Sequence, residues 1–206
     1  MSRYADDERL LAIELINEPY LPDRRMEFAR DMFRRAAGLR GRVPLSVGCS
    51  NLAENMFFLE LGLDVLQFHE NFPSDRHHFR QNLAHARIAA WILDRPIWLT
   101  EWQRLRSRNS GWDGGWLDPG ERTSDYAGLA DIVNDSGLGA FFWSLMVKPA
   151  YLLPQRRIGT INGLFHEDGA VWSLADARAI SGNPGFNAPE RRECPPWALY
   201  DDGGTP

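Results

Sequence analysis

Short apolar runs alternate along this chain with longer stretches of helical periodicity. Leu10–Ile16 is a run of Leu, Ala and Ile stopped by Asn17-Glu18-Pro19, and it predicts a buried strand. From Asp23, placed as a cap, to about Ala37, the residues Met26, Phe28, Ala29, Met32, Phe33 and Ala36 fall near helical spacing. The intervening arginines give that helix a solvated face, and Gly38 and Gly41 stop it. The same alternation predicts strands at Val43–Val47, Asp64–Phe68, Pro96–Thr100 and Gly139–Trp143. It predicts helices at Leu52–Leu61, His77–Leu93, Ser124–Asn134 and Trp172–Ile180. In the longest of these, Phe79, Leu83, Ile88, Ala89 and either Trp91 or Ile92 are the expected buried positions, and Phe141 or Phe142 is expected in the core. A glycine- and tryptophan-rich loop spans Asn109–Gly120, and the Pro- and Gly-rich end, residues 183–206, reads as a loosely packed tail.

Five strands thus appear, with a helix after each of the first four and another after the long loop that follows the fifth. Strands that are apolar throughout are covered on both faces, which implies parallel pairing through right-handed helical crossovers. The expected fold class is α/β. The 206 residues, 44% of them apolar, suffice for one sizeable core and set an expectation of one domain, or at most two.

Charge and composition narrow the partners. A net charge of −5 offers no basic footprint for nucleic acid and no polybasic membrane patch. No apolar run approaches the roughly 20 residues that cross a bilayer. Cys49 and Cys194 follow no metal or redox spacing, so two free thiols or one disulfide are both compatible with the chain. Met1–Arg9 has no hydrophobic signal region, and the compartment stays open.

Each predicted strand ends in polar groups: Asn17-Glu18, Gly48-Cys49-Ser50-Asn51, His69-Glu70-Asn71, Glu101 and Trp143-Ser144. In parallel α/β folds the carboxyl ends of the strands share the edge where ligands bind. Glu18 and Glu101 are therefore expected on one face, and two carboxyl groups there are the minimum for glycoside hydrolysis. One must hold a proton for the leaving oxygen while the other stays ionised to attack the anomeric carbon. Trp143, with Trp112 and Trp116 in the glycine-rich loop, offers flat apolar faces of the kind on which pyranose rings stack. For Trp112 and Trp116 plain loop packing accounts for the pattern equally well. His69 and Asn17 can bond sugar hydroxyls or orient a carboxylate. His78 and His85 lack the i, i+4 spacing of a chelating pair, so no metal site is expected.

The stretches LAIELINEPY, LDVLQFHENFP, PIWLTEWQ and GAFFWSLMVKP together resemble the clan A glycoside hydrolases, closest to family 5, the cellulase- and mannanase-like enzymes. NGLFHEDGAVWSLADARAI is similar to the last loop and helix of such barrels, so the resemblance covers Met1 to about Gly182. It implies a partial (β/α)8 barrel, strands four to eight, that hydrolyses β-linked glycosides or polysaccharides with retention and without a cofactor. Glu18 would be the acid/base and Glu101 the nucleophile. Asn17 would contact the sugar 2-hydroxyl, Trp143 would floor the cleavage subsite, and His69 matches a histidine of strand six.

Two departures qualify this. Asn71 stands where the family motif carries a tyrosine bonded to the nucleophile, so either the Asn71 amide takes that role or the nucleophile is tuned differently. A whole barrel needs about 250 residues, and the opening SRYADDERLLAIELINEP resembles the end of helix three running into strand four. Strands one to three, with the arginine and histidine they usually supply, are then expected from outside this stretch. A displaced start, an N-terminal half-barrel partner and self-association over the open edges are the three explanations, the first preferred. A truncated barrel that at most binds carbohydrate is the rival reading, and a metal-dependent hydrolase built on the histidines is a weaker third.

Overall fold

The computed structural model describes residues 7–19, 24–106, 122–157 and 159–193. The tryptophan-rich loop with Trp112 and Trp116, Asp23, Cys194 and the end of the tail lie outside these residues. The chain divides into two compact units. The first comprises Met1–Glu70, Asn82–Glu101 and Leu138–Phe141, and the second Asn71–Gln81, Trp102–Gly137 and Phe142–Pro206.

The strands and helices follow in the order β1 (Ile13–Asn17), α1 (Arg25–Ala37), β2 (Leu45–Gly48), α2 (Met56–Leu59), β3 (Leu66–Asn71), α3 (Arg76–Leu93) and β4 (Ile97–Gln103). After these come α4 (Ala127–Ser136), β5 (Gly139–Ala140), β6 (Lys148–Pro149), α5 (Leu153–Arg157), β7 (Ile161–Asn162) and α6 (Leu174–Ser181). β1 pairs with β2 in parallel, and β4 with β5 in parallel. β3, β4 and β5 form a three-stranded sheet in that order, and a parallel bridge from Ser46 to Val65 links β2 to the residues entering β3. Pairing in chain order, with a helix between successive strands, is what right-handed βα units generate. The α/β expectation therefore matches the observed architecture.

The first unit is organised around β2, every residue of which is buried, and the buried part of β3. α1 covers this core with Met26, Ala29, Phe33 and Ala36, and Phe33 meets Phe58 of α2 at 5.8 Å between ring centroids. Two polar devices fix the strand that will carry His69. The buried Asn55 amide donates to the Gln67 carbonyl (2.7 Å) and accepts from the Gln67 N–H (3.0 Å), replacing a ladder partner. Asp64, just before β3, accepts the Leu45 N–H at 2.8 Å and pairs with Arg40. Before α2, Asn51 accepts the Glu54 N–H while the Glu54 carboxylate accepts the Ser50 N–H and hydroxyl, a reciprocal capping arrangement.

The second unit packs α4 against α6 and threads an aromatic series through its core. Phe79, Trp102, Tyr126 and Phe142 follow one another at 6.5, 5.8 and 5.1 Å between centroids. Asp176, 1% exposed, ties α6 to the start of α4: it accepts the Ala127 N–H (2.8 Å) and an Arg106 guanidinium N–H (2.6 Å). Burial raises its carboxyl above the usual range, an effect that the Ala127 bond and Arg106 oppose.

Several expectations are corrected. β1 is not a buried strand: it runs half-exposed, with Leu11 just before it 68% exposed, because among the described residues it has β2 as its one strand partner. Phe28 on α1 faces outward. On α3 the buried stripe is Phe79, Leu83 and Ala86, and Ile88, Trp91 and Ile92 are exposed. At about 100° per residue those three point away from the Phe79–Leu83–Ala86 stripe, so the helix carries two apolar stripes and buries one. β5 stops at Ala140, leaving Phe141 exposed and Phe142 half-buried. Ser124 does not cap α4, whose first turn instead uses Asp125 and Asp176 as acceptors. The predicted second helix is a 3-10 turn at Leu52–Asn55 followed by one turn of α2. The loop after β5 contains β6, α5 and β7, none of which the apolar pattern announces. Residues 189–191 are tied back through bonds between Pro189, Arg191 and Val171.

Candidate active site

The apolar run of β1 ends in a local irregularity that aims its polar residues. Glu14 pairs with Ser46 and Asn17 with Gly48, so three steps on β1 match two on β2. This bulge returns Asn17 to the side that Glu14 occupies. A Cβ on Gly48 would lie 2.8 Å from Asn17 Oδ1 and 2.9 Å from Glu14 Oε1, so glycine is what lets both side chains converge there. The Glu18 N–H bonds the Gly48 carbonyl (2.7 Å), and Glu18 adopts φ +45°, an uncommon value for a non-glycine residue.

From that position Glu18 reaches His69 on β3. His69 Nδ1 is 2.6 Å from Glu18 Oε1 and 3.6 Å from Glu101 Oε2 on β4. The imidazole side chain is 2% exposed, Glu101 19% and Glu18 44%. One oxygen of each carboxylate and the ring nitrogen all lie within 4.8 Å of one another. Two carboxyl groups and one imidazole, from three strand ends distant in sequence, thus form one cluster within the first unit. His69 is held by its strand, whose N–H at His69 bonds the Cys49 carbonyl, and by the Asn55 clamp two residues earlier.

The hydrogen bond from His69 holds the Glu18 carboxyl below its ordinary range; burial opposes this and the imidazole charge adds to it. Replacing His69 by glutamine is expected to raise the pH at which Glu18 titrates, since burial then acts with less opposition. Carboxyl-carbon NMR of the two proteins measures it, and an unmoved Glu18 would contradict the assignment. The linkage has a definite sign. A depressed carboxylate adds stability above its unfolded pKa, and that stability is lost as pH falls through the folded value. At nearly half exposure the contribution is small.

A divalent metal fits the trio less well than a proton does. Ligands sharing a tetrahedral zinc sit roughly 3.3 Å apart, whereas Nδ1 and Oε1 are at hydrogen-bond distance, 2.6 Å. The α3 histidines, His77, His78 and His85, are exposed and do not join the cluster.

Sequence reasoning missed Glu14. Burial pushes the Glu14 carboxyl up; His69 and the Gln67 amide oppose the rise and the Glu101 charge adds to it. The position of Glu14 four residues before Glu18 was the available signal, but a half-buried strand tolerates an outward glutamate without any function. Of the remaining expected residues, Asn71 and Trp143 belong to the second unit. There Asn71 Oδ1 accepts from Gln103 Nε2 (3.1 Å) and Lys148 Nζ lies 4.1 Å from the Trp143 ring centroid. The Tyr126 hydroxyl fixes the Trp143–Ser144 backbone, donating to the Trp143 carbonyl (2.7 Å) and accepting from the Ser144 N–H (2.9 Å).

No protein-family model matches the chain, and no curated protein matches it in sequence. Solved structures share its backbone. A Faecalibacterium prausnitzii β-glucuronidase superposes with a TM-score of 0.59 at 14% identity, covering 90% of this chain and 33% of that one. A Bifidobacterium dentium β-glucuronidase complexed with coumarin-3-O-glucuronide gives 0.55 at 16%, covering 84% and 31%. The hyperthermostable endo-1,4-β-D-mannanase of Thermotoga petrophila gives 0.50 at 19%, covering 89% and 59%. At such identities the likeness is one of fold, and this chain spans about three fifths of the mannanase and a third of each glucuronidase.

Proposed function

We propose that this chain is the catalytic part of a retaining β-glycosidase, with Glu18 as acid/base and Glu101 as nucleophile. The observation that carries the reading is the approach of one Glu18 oxygen to one Glu101 oxygen within 4.8 Å. Retaining enzymes hold their carboxyl groups about 5–5.5 Å apart, and inverting enzymes about 6.5–9.5 Å apart to admit a water. The fold shared with glycoside hydrolases points the same way. In this reading β1 to β5 correspond to strands four to eight of an eight-stranded barrel, and closure requires a strand against β1 from outside the described residues. Residues 1–182 form that portion of the barrel.

Glu101 Oε2 attacks the anomeric carbon as the glycosidic C–O bond breaks, and Glu18 transfers a proton to the departing oxygen. Water then enters from the side the leaving group vacated. Glu18 takes a proton from it, and its oxygen displaces the Glu101 ester. In the free protein the short Glu18–His69 bond favours the ionised Glu18 carboxyl group. A substrate oxygen that displaces this contact would favour its protonated, acid form. Asn17, beside Glu18 at the strand end, is placed to meet a hydroxyl of the same sugar. Trp143, Trp112 and Trp116 are carried as substrate-binding residues by their flat apolar faces, Trp143 by the sequence resemblance as well, and Asn71 by its place in the family motif.

The ionised resting state of Glu18 favours a second reading, carbohydrate binding without turnover. The two separate in one experiment: size-exclusion fractions assayed on aryl β-glycosides, β-glucan and mannan, with the product anomer followed by proton NMR. Hydrolysis that releases the β-anomer first supports the glycosidase. A folded, sugar-binding but inert protein supports the alternative, and initial release of the α-anomer would reject the retaining assignment.

A further inference from the structure

We propose that Asn55 is a positioning residue for the Glu18–His69 pair: the buried amide at the end of a bracket, residues 49–55, that fixes the end of β3 against the end of β2. The catalytic consequence rests on the glycosidase reading; the geometry stands without it.

The two members of the pair are set by neighbouring carbonyls at the end of β2. The Gly48 carbonyl accepts the Glu18 N–H at 2.7 Å, and the Cys49 carbonyl accepts the His69 N–H at 3.0 Å. The side chains carried by those two bonds then meet at 2.6 Å. A slip of β3 along or away from β2 would therefore move His69 relative to Glu18. The join between the two strands is thin, since β2 and β3 belong to different sheets. Upstream, the Val65 N–H bonds the Leu45 carbonyl at 3.3 Å, in the same register as His69 with Cys49. That register would hand the Gln67 N–H to the Val47 carbonyl and the Gln67 carbonyl to the Cys49 N–H. Asn55 takes both instead: its Oδ1 accepts the Gln67 N–H at 3.0 Å, and its Nδ2 donates to the Gln67 carbonyl at 2.7 Å. One side chain thus fills the rung immediately before the one on which His69 depends.

The amide is itself held. Asn55 is 0% exposed, and its Nδ2 also donates to the Leu52 carbonyl at 3.0 Å. The Glu54 carboxylate accepts the Ser50 N–H and hydroxyl at 2.9 and 2.8 Å, and Asn51 accepts the Glu54 N–H at 3.2 Å. The bracket therefore begins at Cys49, which bonds His69, and ends at Asn55, which bonds Gln67. Full burial keeps Asn55 away from a sugar, so its influence on the reaction runs through where it holds His69. The titratable groups that face Glu18 are His69 of β3 and Glu101 of β4. Asn55 is neutral, and its effect on Glu18 is one of geometry rather than charge.

Asn55→Ala removes both bonds to Gln67 without adding a charge. Carboxyl-carbon NMR of the full chain is expected to show Glu18 titrating higher than in the wild type, because a displaced imidazole no longer supports the ionised form. On an aryl β-glycoside kcat should fall about three- to tenfold with KM unchanged. The basic limb of kcat/KM against pH should rise with the Glu18 midpoint. A loss of stability alone would shift neither midpoint nor limb. Ser50→Ala, at an exposed position, loosens the same bracket without emptying a buried site, and should move the Glu18 midpoint the same way by less. A Glu18 midpoint that keeps its wild-type value in every variant that folds overturns the proposal. A shifted midpoint in a protein that turns nothing over, even as wild type, upholds the bracket and rejects the glycosidase reading. Turnover with an unmoved midpoint does the reverse.

Discussion

Glu101→Gln is expected to lower hydrolysis of a β-glycoside by about four orders of magnitude while the protein stays folded and still binds sugar. Glutamine keeps the size of the side chain, so the loss isolates the nucleophile. Glu101 side-chain exposure is 19%, low enough for its carboxylate to be poorly hydrated and high enough for a substrate to reach it. Glu18→Gln gives a different signature, because a proton donor matters only when the leaving group needs a proton. The Glu18 variant should lose about 10³-fold on an alkyl glycoside and far less on a dinitrophenyl glycoside, whose phenolate leaves unaided. Measuring kcat/KM for both variants on both leaving groups therefore separates the two roles. Equal losses across leaving groups for Glu18→Gln would withdraw its assignment as the acid, and full activity in either variant would end the glycosidase reading.

The largest effect on stability is expected at Gly163, just past β7. Its φ is +101°, and a Cβ there would meet backbone: the Met146 carbonyl, and the Val147 nitrogen at 2.7 Å. Neither can step aside as a side chain would, and the Val147 N–H is already committed to the Phe165 carbonyl at 2.8 Å. Gly163→Ala should therefore cost about 3–5 kcal/mol, a large share of the roughly 5–15 kcal/mol that holds a domain folded. Gly62 is the matched control, with φ +92° and nothing within 4 Å of its would-be Cβ. Gly62→Ala should cost only about 1 kcal/mol, the backbone strain alone. Urea midpoints of the two variants report the difference. Similar midpoints would mean that the second unit relaxes around the added methyl group.

The two carboxyl groups at the heart of the site were legible before any coordinates, because a strand end is a local event. Pro19 closes an apolar run, Glu101 follows another, and parallel pairing brings such ends to one edge. The composition of the helices was legible for the same reason, with errors where periodicity allowed two answers. α3 has two apolar stripes, and only packing decided that Phe79, Leu83 and Ala86 would be covered while Trp91 stayed 83% exposed. Phe141 and Phe142 were alternatives for the core, and packing decided for Phe142, which meets Tyr126, because an apolar run does not say where strand pairing stops.

What the sequence determined by itself is the alternation of strands and helices, the parallel α/β class, and the arrival of Glu18 and Glu101 at strand ends. Each follows from residues within a few positions of one another, through side-chain period, turn chemistry and burial. What only the tertiary structure decided is which groups meet. His69 lies 51 residues from Glu18, and no local rule places its Nδ1 at 2.6 Å. The bulge that sets Glu14 and Asn17 together over Gly48 arises from β1 and β2 in register, not from either strand alone. Distances between charges fix protonation and reactivity, and those distances exist only once separate strands have been packed side by side.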